Sequence, residues 1–365
     1  MRLAEWSTHP IRLPYRRSIQ WASTGEDAAE YLLLRLVGDD GTVGLAENLV
    51  KMAWHGVTLH ALALVLELQF IPALRPIDLL DENAVTRALD RVPEQPLARS
   101  LVENACWDLR SQARGVPLWQ VWGGDPEAPV SWTLTRQEPA AMAREAAEMV
   151  DRHGFGTLKI KGGQGREVDR MALAEIRAAV GPGVALYVDA NRAYQPSEAL
   201  AYLNELAEQG VIMAEDPCQL EPNHAFRTLQ EESPIPLLVD NACRSARDAA
   251  LFLQHGARAL SLKLGGTGAT EAFTMASMAH QQNCAAHVGS IADSSLGAMF
   301  VLQVASALPG RKYSLPAETT LFLTLAEEYV IEPLRVVDGK VRLPDTPELA
   351  KWVDWERVEA LQPGR

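Results

Sequence analysis

Three acidic residues follow consecutive apolar runs at nearly equal spacing. They are Asp189 in ALYVDAN, Glu215 in VIMAEDP and Asp240 in PLLVDNA, which lie 26 and 25 residues apart. That length accommodates a strand, a helix and two short loops, which is one unit of a parallel β/α fold. Because neighbouring parallel strands end at the same edge, we expect the three carboxylates to point at one shared position.

Three carboxylates cannot all be ionised in a dry pocket unless a cation neutralises them. A hard divalent ion with oxygen ligands suits such a set. We therefore predict one Mg²⁺ bound by Asp189, Glu215 and Asp240.

A strand and helix repeat begins near residue 130. The strand candidates are VSWTL, TLKIK, ALYVDA, IMAEDP, PLLVDN, ALSLKL, AAHVGS and YSLPAE. Helical patterns separate them, and several of these end in glycine, as helices often do. Eight strands in one run favour an α/β fold with a (β/α)₈ TIM barrel. An open α/β sheet with the same local pattern is the alternative that periodicity leaves open.

The segments outside the repeat have a different pattern. Apolar runs flank an Asp-Asp-Gly turn at residues 39–41, which predicts a β-hairpin, and helical patterns follow it. After Glu318 the repeat stops, and EYVIEPLRVVDGKVRLPDTPEL predicts a second hairpin. We therefore predict an α+β domain at residues 1–125, a catalytic (β/α)-barrel at 126–320 and a tail at 321–365 that returns to the first domain.

Composition limits the partners of the chain. The formal net charge of −13 over 365 residues argues against nucleic acid or an anionic membrane as a main partner. No apolar stretch reaches the length of a membrane helix, and the N-terminal residues lack the apolar core of a signal sequence. Four scattered cysteines without a CxxC pair are typical of reduced thiols. The expected location is the cytoplasm.

Lysines flank the acidic row on both sides. Lys159 and Lys161 lie one unit upstream in LKIK, and Lys263 lies one unit downstream in LSLKLGG. Residues two apart on a strand share a face, so Lys159 can lower the pKa of Lys161 by repulsion between like charges. Lys263 would face Lys161 from the other side of a metal-bound substrate. Two such bases suit the removal and return of one proton, with the metal stabilising an enediolate.

Each of these residues has an ordinary structural interpretation as well. A K-x-K pair is usually a solvated strand face, and an aspartate after a strand is often a helix N-cap. Lys263 beside two glycines could instead bind a phosphate. The joint order K-x-K, D, E, D, K, with every member at a strand end, favours the active-site interpretation.

Seven segments resemble the enolase superfamily, in its muconate lactonizing enzyme-like subgroup of the mandelate racemase and muconate lactonizing enzyme family. They are TLKIKGG, YVDANRAY, AEDP, LLVDN, LSLKLGGTG, GSIADSSLG and VENACWDLRSQARGVPLWQVWGG. The resemblance implies a capping domain over a modified barrel and the Mg²⁺ site given above. It also implies Lys161 and Lys263 as acid and base, with Lys159 assisting.

The resemblance further implies substrate-binding residues. Asn191 could support the metal shell, and Asp293 could bind the substrate or adjust Lys263. Two capping-domain loops would set specificity, and their candidate residues are Trp21 in residues 16–26 and Trp54 and His55 in residues 50–57. An aromatic lid could cover a ring or contact an amine, and simple packing between domains is the alternative.

Two segments depart from the family pattern. Asp240 precedes an asparagine where Asp-Glu is common. The eighth strand ends in Pro-Ala-Glu318 and lacks the paired aspartates with which dipeptide epimerases hold a substrate ammonium. Glu318 could pair with a substrate nitrogen, or it could be a surface residue.

The expected function is that of a Mg²⁺-dependent racemase or epimerase. It would form an enolate from a small, amino-acid-derived carboxylate, and we expect a homo-oligomer. A muconate-type cycloisomerase or an acid dehydratase would use the same enolate. A Schiff-base aldolase or lyase with Lys263 as nucleophile is a rival from another class, and so is a catalytically silent barrel.

Overall fold

The computed structural model describes residues 1–22 and 24–363, so the predicted tail is described up to residue 363. The strands are β1 (Leu3–Gln20), β2 (Gly25–Gly38), β3 (Val43–Leu49), β4 (Glu127–Pro129), β5 (Trp132–Leu134), β6 (Thr157–Lys161), β7 (Ala185–Asp189), β8 (Val211–Glu215), β9 (Leu237–Val239), β10 (Ala259–Leu262), β11 (Ala285–Val288), β12 (Val336–Val337) and β13 (Lys340–Arg342).

Helices surround these strands. The α-helices are Met52–His55, Leu59–Val65, Ile71–Leu74, Glu82–Leu89, Pro96–Arg114, Leu118–Val121, Pro139–His153, Arg166–Val180, Pro196–Glu208, His224–Glu232, Ala246–Gln254, Leu264–Thr267, Ala269–Gln281, Ser295–Ala305 and Trp355–Ala360. A π-helical turn lies at Leu66–Phe70, and short 3₁₀ helices lie at Arg311–Tyr313, Leu321–Thr324 and Leu349–Trp352.

The N-terminal sheet is antiparallel in the order β1-β2-β3. The predicted hairpin is β2 and β3, which pair from Tyr31 with Leu49 to Val37 with Val43. The sequence analysis did not anticipate β1. Pro10 and Pro14 interrupt its apolar pattern, and β1 tolerates them because it is an edge strand of its sheet.

The barrel sheet is parallel in the order β5-β6-β7-β8-β9-β10-β11. The expected eighth strand is reduced to a few residues. Ala317 forms a parallel bridge with Val130, and the amide of Glu318 donates to the carbonyl of Val288 at 2.9 Å, so this segment links β5 to β11 and closes the barrel. Pro316 has no amide hydrogen to extend the ladder.

Strand register aligns the predicted site residues. Lys161 on β6 lies opposite Asp189 on β7, and Asp189 lies opposite Glu215 on β8. Asp240 directly follows β9, and Lys263 directly follows β10. The C-terminal strand ends therefore present these residues as one arc.

The long helix Pro96–Arg114 joins the α+β cap to the barrel. Glu103 accepts a 2.7 Å hydrogen bond from the amide of Thr270, and the side-chain oxygen of Asn104 accepts one of 3.2 Å from the amide of Ala269. Both amides belong to the first turn of Ala269–Gln281, whose free N–H groups need acceptors. The cap is thereby fixed to the helix that follows the Lys263 segment.

The C-terminal tail contacts both parts of the molecule. The hairpin of β12 and β13 pairs with β4, which precedes the first barrel strand β5. Farther on, the carbonyl of Leu361 accepts a hydrogen bond from the amide of Arg12 on β1. The division at residues 125 and 320 stays a prediction. Within residues 1–22 and 24–363, no helix combines the length and the apolar character needed to cross a membrane.

Candidate active site

The three acidic residues lie at the bottom of the barrel mouth and are buried. Asp189, Glu215 and Asp240 are 0%, 2% and 5% exposed. Their positions follow from strand register, because each occupies the last position of its strand or the position after it. A buried row of carboxylates is costly unless positive charge lies beside it.

The Lys159 ammonium provides part of this charge. It lies 2.7 Å from Glu215 Oε2, 2.8 Å from Glu318 Oε2 and 3.1 Å from Asp189 Oδ2, and its side chain is 1% exposed. Burial lowers the pKa of Lys159, but the carboxylates of Glu215, Glu318 and Asp189 outweigh it and raise that pKa well above its usual value. Lys159 is therefore a fixed cation inside the barrel.

The other two lysines bracket the row. Lys161 Nζ lies 2.6 Å from Asp189 Oδ2, and Lys263 Nζ lies 2.6 Å from Asp240 Oδ2. Lys161 belongs to the strand before the acidic row and Lys263 to the strand after it. The Lys263 side chain is 36% exposed, so it reaches the open mouth.

The charges of the cluster do not balance. Asp189, Glu215, Asp240 and Glu318 are four acids, and Lys159, Lys161 and Lys263 are three bases. Burial opposes the ionisation of Asp189, yet Lys161 and Lys159 hold its pKa below the usual range. Burial, followed by repulsion from Asp189, raises the pKa of Glu215 well above its ordinary value. Of these acids, Glu215 is thus the one whose ionisation the site opposes most when no further cation is bound.

The donor set fits a hard divalent ion. Glu215 Oε2 is buried and has no hydrogen bond of acceptable geometry within the described residues, although the Lys159 ammonium is near. In residues 1–22 and 24–363, no three acidic, histidine or cysteine side chains already converge as a ready-made metal cluster. Two of the three carboxylates are instead paired with lysines, Asp189 with Lys161 and Asp240 with Lys263.

A further buried acid explains the asparagine after Asp240. Asp216 Oδ2 accepts hydrogen bonds from the Asn241 amide at 2.9 Å and side chain at 2.6 Å. Its Oδ1 accepts one from the Asp240 amide at 3.1 Å. A glutamate at position 241 would keep the backbone donor but would offer Asp216 no side-chain donor. Burial and the neighbouring Asp240 raise the pKa of Asp216 to about 6.

Asn191 contacts the first acid of the row. Its amide donates to Asp189 Oδ1 at 2.8 Å and its side chain donates to Asp189 Oδ2 at 3.1 Å. These bonds orient the Asp189 carboxylate. Its backbone φ of 49° is one that asparagine tolerates better than most residues.

Glu318 is buried rather than on the surface. Besides its contact with Lys159, it accepts a 3.3 Å hydrogen bond from Thr133. Both partners belong to the barrel interior, so the carboxylate is already engaged. His287 lies nearby within 3.4 Å of the Tyr187 hydroxyl, and burial lowers its pKa to about 4. His287 is therefore a neutral histidine hydrogen-bonded inside the barrel.

The predicted lid residues form one aromatic cluster. The Trp21 and Trp54 rings meet edge to face with centroids 5.2 Å apart, and Trp54 lies 6.4 Å from His55 in a similar arrangement. Ser23 in the first loop lies outside the described residues. Lys51, which the sequence analysis did not single out, places its ammonium 3.9 Å from the Trp54 centroid. It lies within the predicted loop of residues 50–57, three residues before Trp54.

Asp293 is held away from direct pairing with a base. Its Oδ2 accepts hydrogen bonds from Thr319 at 2.8 Å and Ser290 at 3.3 Å, and burial raises its pKa. The neighbouring Ser294 donates a 2.5 Å bond from its hydroxyl to Glu47 on β3. Glu47 was not anticipated, and no motif marks it apart from its place at the end of the hairpin.

Asn48 is a second unanticipated residue of β3. Its side chain donates to the carbonyls of Gly265 and Leu97 at 3.1 Å each and to Ser100 at 2.8 Å. Gly265 lies two residues after Lys263. The cap sheet therefore fixes the backbone beside one of the two flanking lysines.

A closed parallel barrel with carboxylates and lysines at its strand ends, under an α+β cap, defines an enolase-superfamily architecture. The family described as Enolase C-terminal domain-like matches residues 141–356. The chain belongs to this family and is an isomerase of the enolase superfamily.

Curated relatives and solved structures agree with this assignment. The chain is 27% identical over 346 residues to a chloromuconate cycloisomerase of Cupriavidus pinatubonensis, with 92% of each chain covered. It is 30% identical over 234 residues to a hydrophobic dipeptide epimerase of Enterococcus faecalis, covering 63% of this chain and 65% of the relative.

Two solved structures show the same fold. A muconate lactonizing enzyme from Pseudomonas fluorescens, complexed with muconolactone, superposes with a TM-score of 0.92 at 24% identity, with 99% of each chain covered. A dipeptide epimerase from Enterococcus faecalis, complexed with Mg and the dipeptide L-Leu-L-Tyr, superposes with a TM-score of 0.89 at 24% identity, covering 96% of this chain and 99% of that one.

Proposed function

We propose that this chain is a Mg²⁺-dependent racemase or epimerase that exchanges the α-proton of a small, amino-acid-derived carboxylate. The observation that supports it best is the placement of Lys161 and Lys263 on opposite sides of the acidic row. A base on each face of one carbon is the arrangement that inversion of configuration requires.

The residues divide into three roles. Asp189, Glu215 and Asp240 would hold the ion, which would neutralise the charge that develops on the substrate carboxylate. Lys161 and Lys263 would remove the α-proton from one face and return it to the other. These roles rest on the contacts and burial described above and on family membership.

Lys159 would act on the other lysines rather than on the substrate. Its ammonium is surrounded by three carboxylates, so it has no freedom to approach a substrate carbon. It lies two residues before Lys161 on the same face of β6. Both lysines contact Asp189 Oδ2, so Lys159 would help to position Lys161 through that shared carboxylate.

The contacts of Glu318 indicate which kind of substrate nitrogen the site would accept. Its carboxylate is occupied by Lys159 and Thr133, so it is a poor partner for a free substrate ammonium. This favours a substrate whose amine is acylated over one with a free amine. We also expect a cytoplasmic enzyme that forms a homo-oligomer, on the grounds given by composition and resemblance.

Cycloisomerisation is the second candidate. The chloromuconate cycloisomerase aligns with 92% of this chain, whereas the dipeptide epimerase aligns with 63%. Such a reaction would need one lysine for proton transfer and not two. Racemisation would therefore be impaired by substitution of either Lys161 or Lys263, whereas the proton transfer of cycloisomerisation would depend on only one of them.

Proton exchange in D₂O tests the proposal. The protein is stripped with EDTA, reloaded with Mg²⁺ and incubated with N-acyl amino acids, dipeptides and muconate, and α-deuteration is read by NMR. We expect exchange that depends on Mg²⁺. Borohydride trapping of a substrate on Lys263 that survives EDTA would instead indicate a Schiff-base enzyme, and absence of exchange across the library would indicate a silent barrel.

A further inference from the structure

A buried aspartate holds the loop that follows one of the two flanking lysines. Asp169 lies in the first turn of the helix Arg166–Val180 and is 3% exposed. Its Oδ2 accepts a 2.8 Å hydrogen bond from the amide of Gly163, and its Oδ1 accepts one of 3.1 Å from the amide of Gln164. Gly163 comes two residues after Lys161, so this carboxylate fixes the chain just beyond a proposed base.

Two tyrosines donate to the same carboxylate. The Tyr194 hydroxyl lies 2.7 Å from Asp169 Oδ2, and the Tyr202 hydroxyl lies 2.8 Å from it. Tyr194 belongs to the loop after β7, the strand that ends at Asp189, and Tyr202 belongs to the helix that follows this loop. Asp169 therefore joins the loop after Lys161 to the loop after Asp189.

The protonation of the two phenols agrees with their role as donors. Burial raises the pKa of Tyr194 and of Tyr202, and the carboxylate of Asp169 raises both further. Each hydroxyl therefore keeps its proton and donates it. Three neutral donors converge on Oδ2 and one on Oδ1, which is a fully used acceptor rather than a solvated surface acid.

The backbone next to Lys161 is packed tightly against β7. The amide of Gly162 donates to the carbonyl of Asp189 at 3.0 Å, which continues the pairing of β6 with β7 past the strand ends. A Cβ added to Gly162 would lie 2.9 Å from Val188 Cγ1 and 3.1 Å from Asp169 Oδ2. The absence of a side chain at this position thus lets the loop approach the carboxylate.

Lys263 is supported by a different part of the molecule. Asn48 of the cap holds the carbonyl of Gly265 beside it. Strand β10, which precedes Lys263, is separated from β6 by three strands of the barrel sheet. An effect of Asp169 on proton transfer should therefore reach Lys161 and leave Lys263 unchanged.

We propose that Asp169 is a positioning residue for Lys161. It holds the loop after β6 so that the Lys161 ammonium keeps its place 2.6 Å from Asp189 Oδ2. The role is indirect, because Asp169 acts through the backbone amides of Gly163 and Gln164. The inference rests on the proposed function for its effect on proton transfer, and on the contacts alone for the placement of Lys161.

Asp169→Asn tests this role with a small change of shape. An amide has one acceptor oxygen, so its NH₂ group must face either the Gln164 amide or the three donors on the other side, and at least one hydrogen bond is lost. Each stereoisomer of a substrate is supplied separately to the Mg²⁺-loaded protein in D₂O, and α-deuteration without inversion is read by NMR. Lys161→Ala and Lys263→Ala identify the stereoisomer that each lysine deprotonates.

We expect Asp169→Asn to impair one stereoisomer selectively. For the stereoisomer that Lys161 deprotonates, kcat should fall about 10- to 100-fold with little change in KM, as for a small displacement of a reacting group. Exchange of the stereoisomer that Lys263 deprotonates should change little. Equal losses for both stereoisomers would show that Asp169 only supports the fold, and the proposal would be wrong.

Tyr194→Phe provides a second, milder variant. It removes one of the four donors and leaves the carboxylate in place, so it should fold even if Asp169→Asn does not. It should reduce exchange of the same stereoisomer by a smaller factor. Glu167→Gln, at an exposed acid in the same helical turn, is the matched control and should leave both rates unchanged. Unaltered exchange of both stereoisomers in Tyr194→Phe would also overturn the proposal.

Trace labelling of lysines keeps this inference distinct from the proposed reaction. The Mg²⁺-loaded proteins react briefly with acetic anhydride, and mass spectrometry gives the labelling rates of Lys161 and Lys263. We expect Asp169→Asn to raise the rate of Lys161 several-fold relative to that of Lys263, because Lys161 is held less firmly at Asp189. This result supports the inference even if no α-proton exchanges, in which case the proposed racemisation alone fails. An unchanged or lower ratio contradicts the inference whatever the turnover.

Discussion

Lys159 donates a 2.8 Å hydrogen bond to Glu318, which joins the second strand of the barrel to the short segment that closes it. The bond crosses the barrel interior beneath the acidic row. The same ammonium also contacts Asp189 and Glu215, so the Lys159 side chain neutralises charge on three carboxylates. Closure of the barrel and preparation of the candidate metal site therefore depend on the same lysine.

Lys159→Met should destabilise the metal-free protein by about 3–5 kcal/mol, since it leaves buried carboxylates without a cation. Urea unfolding measures this loss. The double variant Lys159→Met/Glu318→Gln should recover part of it, because one of the stranded charges is removed. Lys340→Met, whose ammonium lies 3.4 Å from Glu127 on the surface, should change stability little. An equally small loss for Lys159→Met would contradict the central role of its charge.

Lys161→Ala and Lys263→Ala should each abolish exchange from one stereoisomer more severely than from the other. Each lysine faces one side of the acidic row, so each variant keeps a base on the opposite side. NMR in D₂O with both enantiomers of one substrate measures the asymmetry, and calorimetry checks that Mg²⁺ still binds. Full exchange of both enantiomers by both variants would exclude the two-base mechanism.

Glu47→Gln should flatten the pH dependence of stability between about pH 5 and pH 8. Burial raises the pKa of Glu47 from 4.5 to about 8, so the protonated carboxyl favours the folded state. This stabilisation is complete below about pH 4.5 and is lost as the pH rises to about 8. The unfolding free energy of the unmodified protein should therefore fall by up to about 1.4 kcal/mol per pH unit from this group.

The comparison with Glu47→Gln isolates this residue from its neighbours. Burial also raises the pKa of Glu328 to about 7, and that group contributes a slope of its own in both proteins. Glu359→Gln, an exposed position on the last helix, is the matched control. Identical slopes for the unmodified protein and Glu47→Gln would show that Glu47 is ionised in the folded state.

Asn48→Ala should lower kcat more than it changes KM. The side chain of Asn48 holds the carbonyl of Gly265, and a shift of about 1 Å at the adjacent Lys263 can cost up to roughly 100-fold in rate. We expect at least a tenfold loss, with about 1–3 kcal/mol of destabilisation from the unmet carbonyls. Asn204→Ala, at an exposed asparagine bonded within its own helix, is the control. An unchanged kcat would show that Asn48 does not help to position Lys263.

Gly163→Ala should destabilise the protein by at least about 3 kcal/mol. Gly163 has a φ of 73°, and an added Cβ would lie 2.4 Å from the carbonyl oxygen of Ala190 beside the site. Gly115→Ala is the control, because Gly115 has a φ of 69° but open space around it. It should cost about 1–2 kcal/mol from the backbone alone. Equal urea midpoints for Gly163→Ala and Gly115→Ala would show that the loop at Gly163 shifts to accommodate the added methyl group.

Local patterns in the sequence predicted much of the fold and of the acidic row. The spacing of Asp189 and Glu215 indicated adjacent strands, and their direct register opposition follows from that regularity. Strand β1 escaped prediction because its prolines break the apolar alternation. The eighth strand was predicted at full length but is a short bridge, since Pro316 limits its hydrogen bonds.

Residues whose importance depends on distant partners could not be predicted. Lys51 and Glu26 are ordinary surface types in the sequence, and packing against two indoles buries Lys51 beside a partly exposed Glu26. Glu47 looked like one more position of a hairpin, yet Ser294, which is 247 residues away, donates to it. Side-chain chemistry of this kind has no periodicity for a sequence pattern to reveal.

The sequence by itself determined the βα repeat and the order of acids and lysines along the chain, because strand and helix periodicity are local properties. Tertiary structure decided which charges meet. It paired Glu318 with Lys159, raised the pKa of Glu215 by burying it beside other acids, and placed the Lys51 ammonium between two tryptophans. The physical reason is that electrostatic and hydrogen-bonding energies depend on distance in space and on burial, and both are set when the barrel closes under its cap.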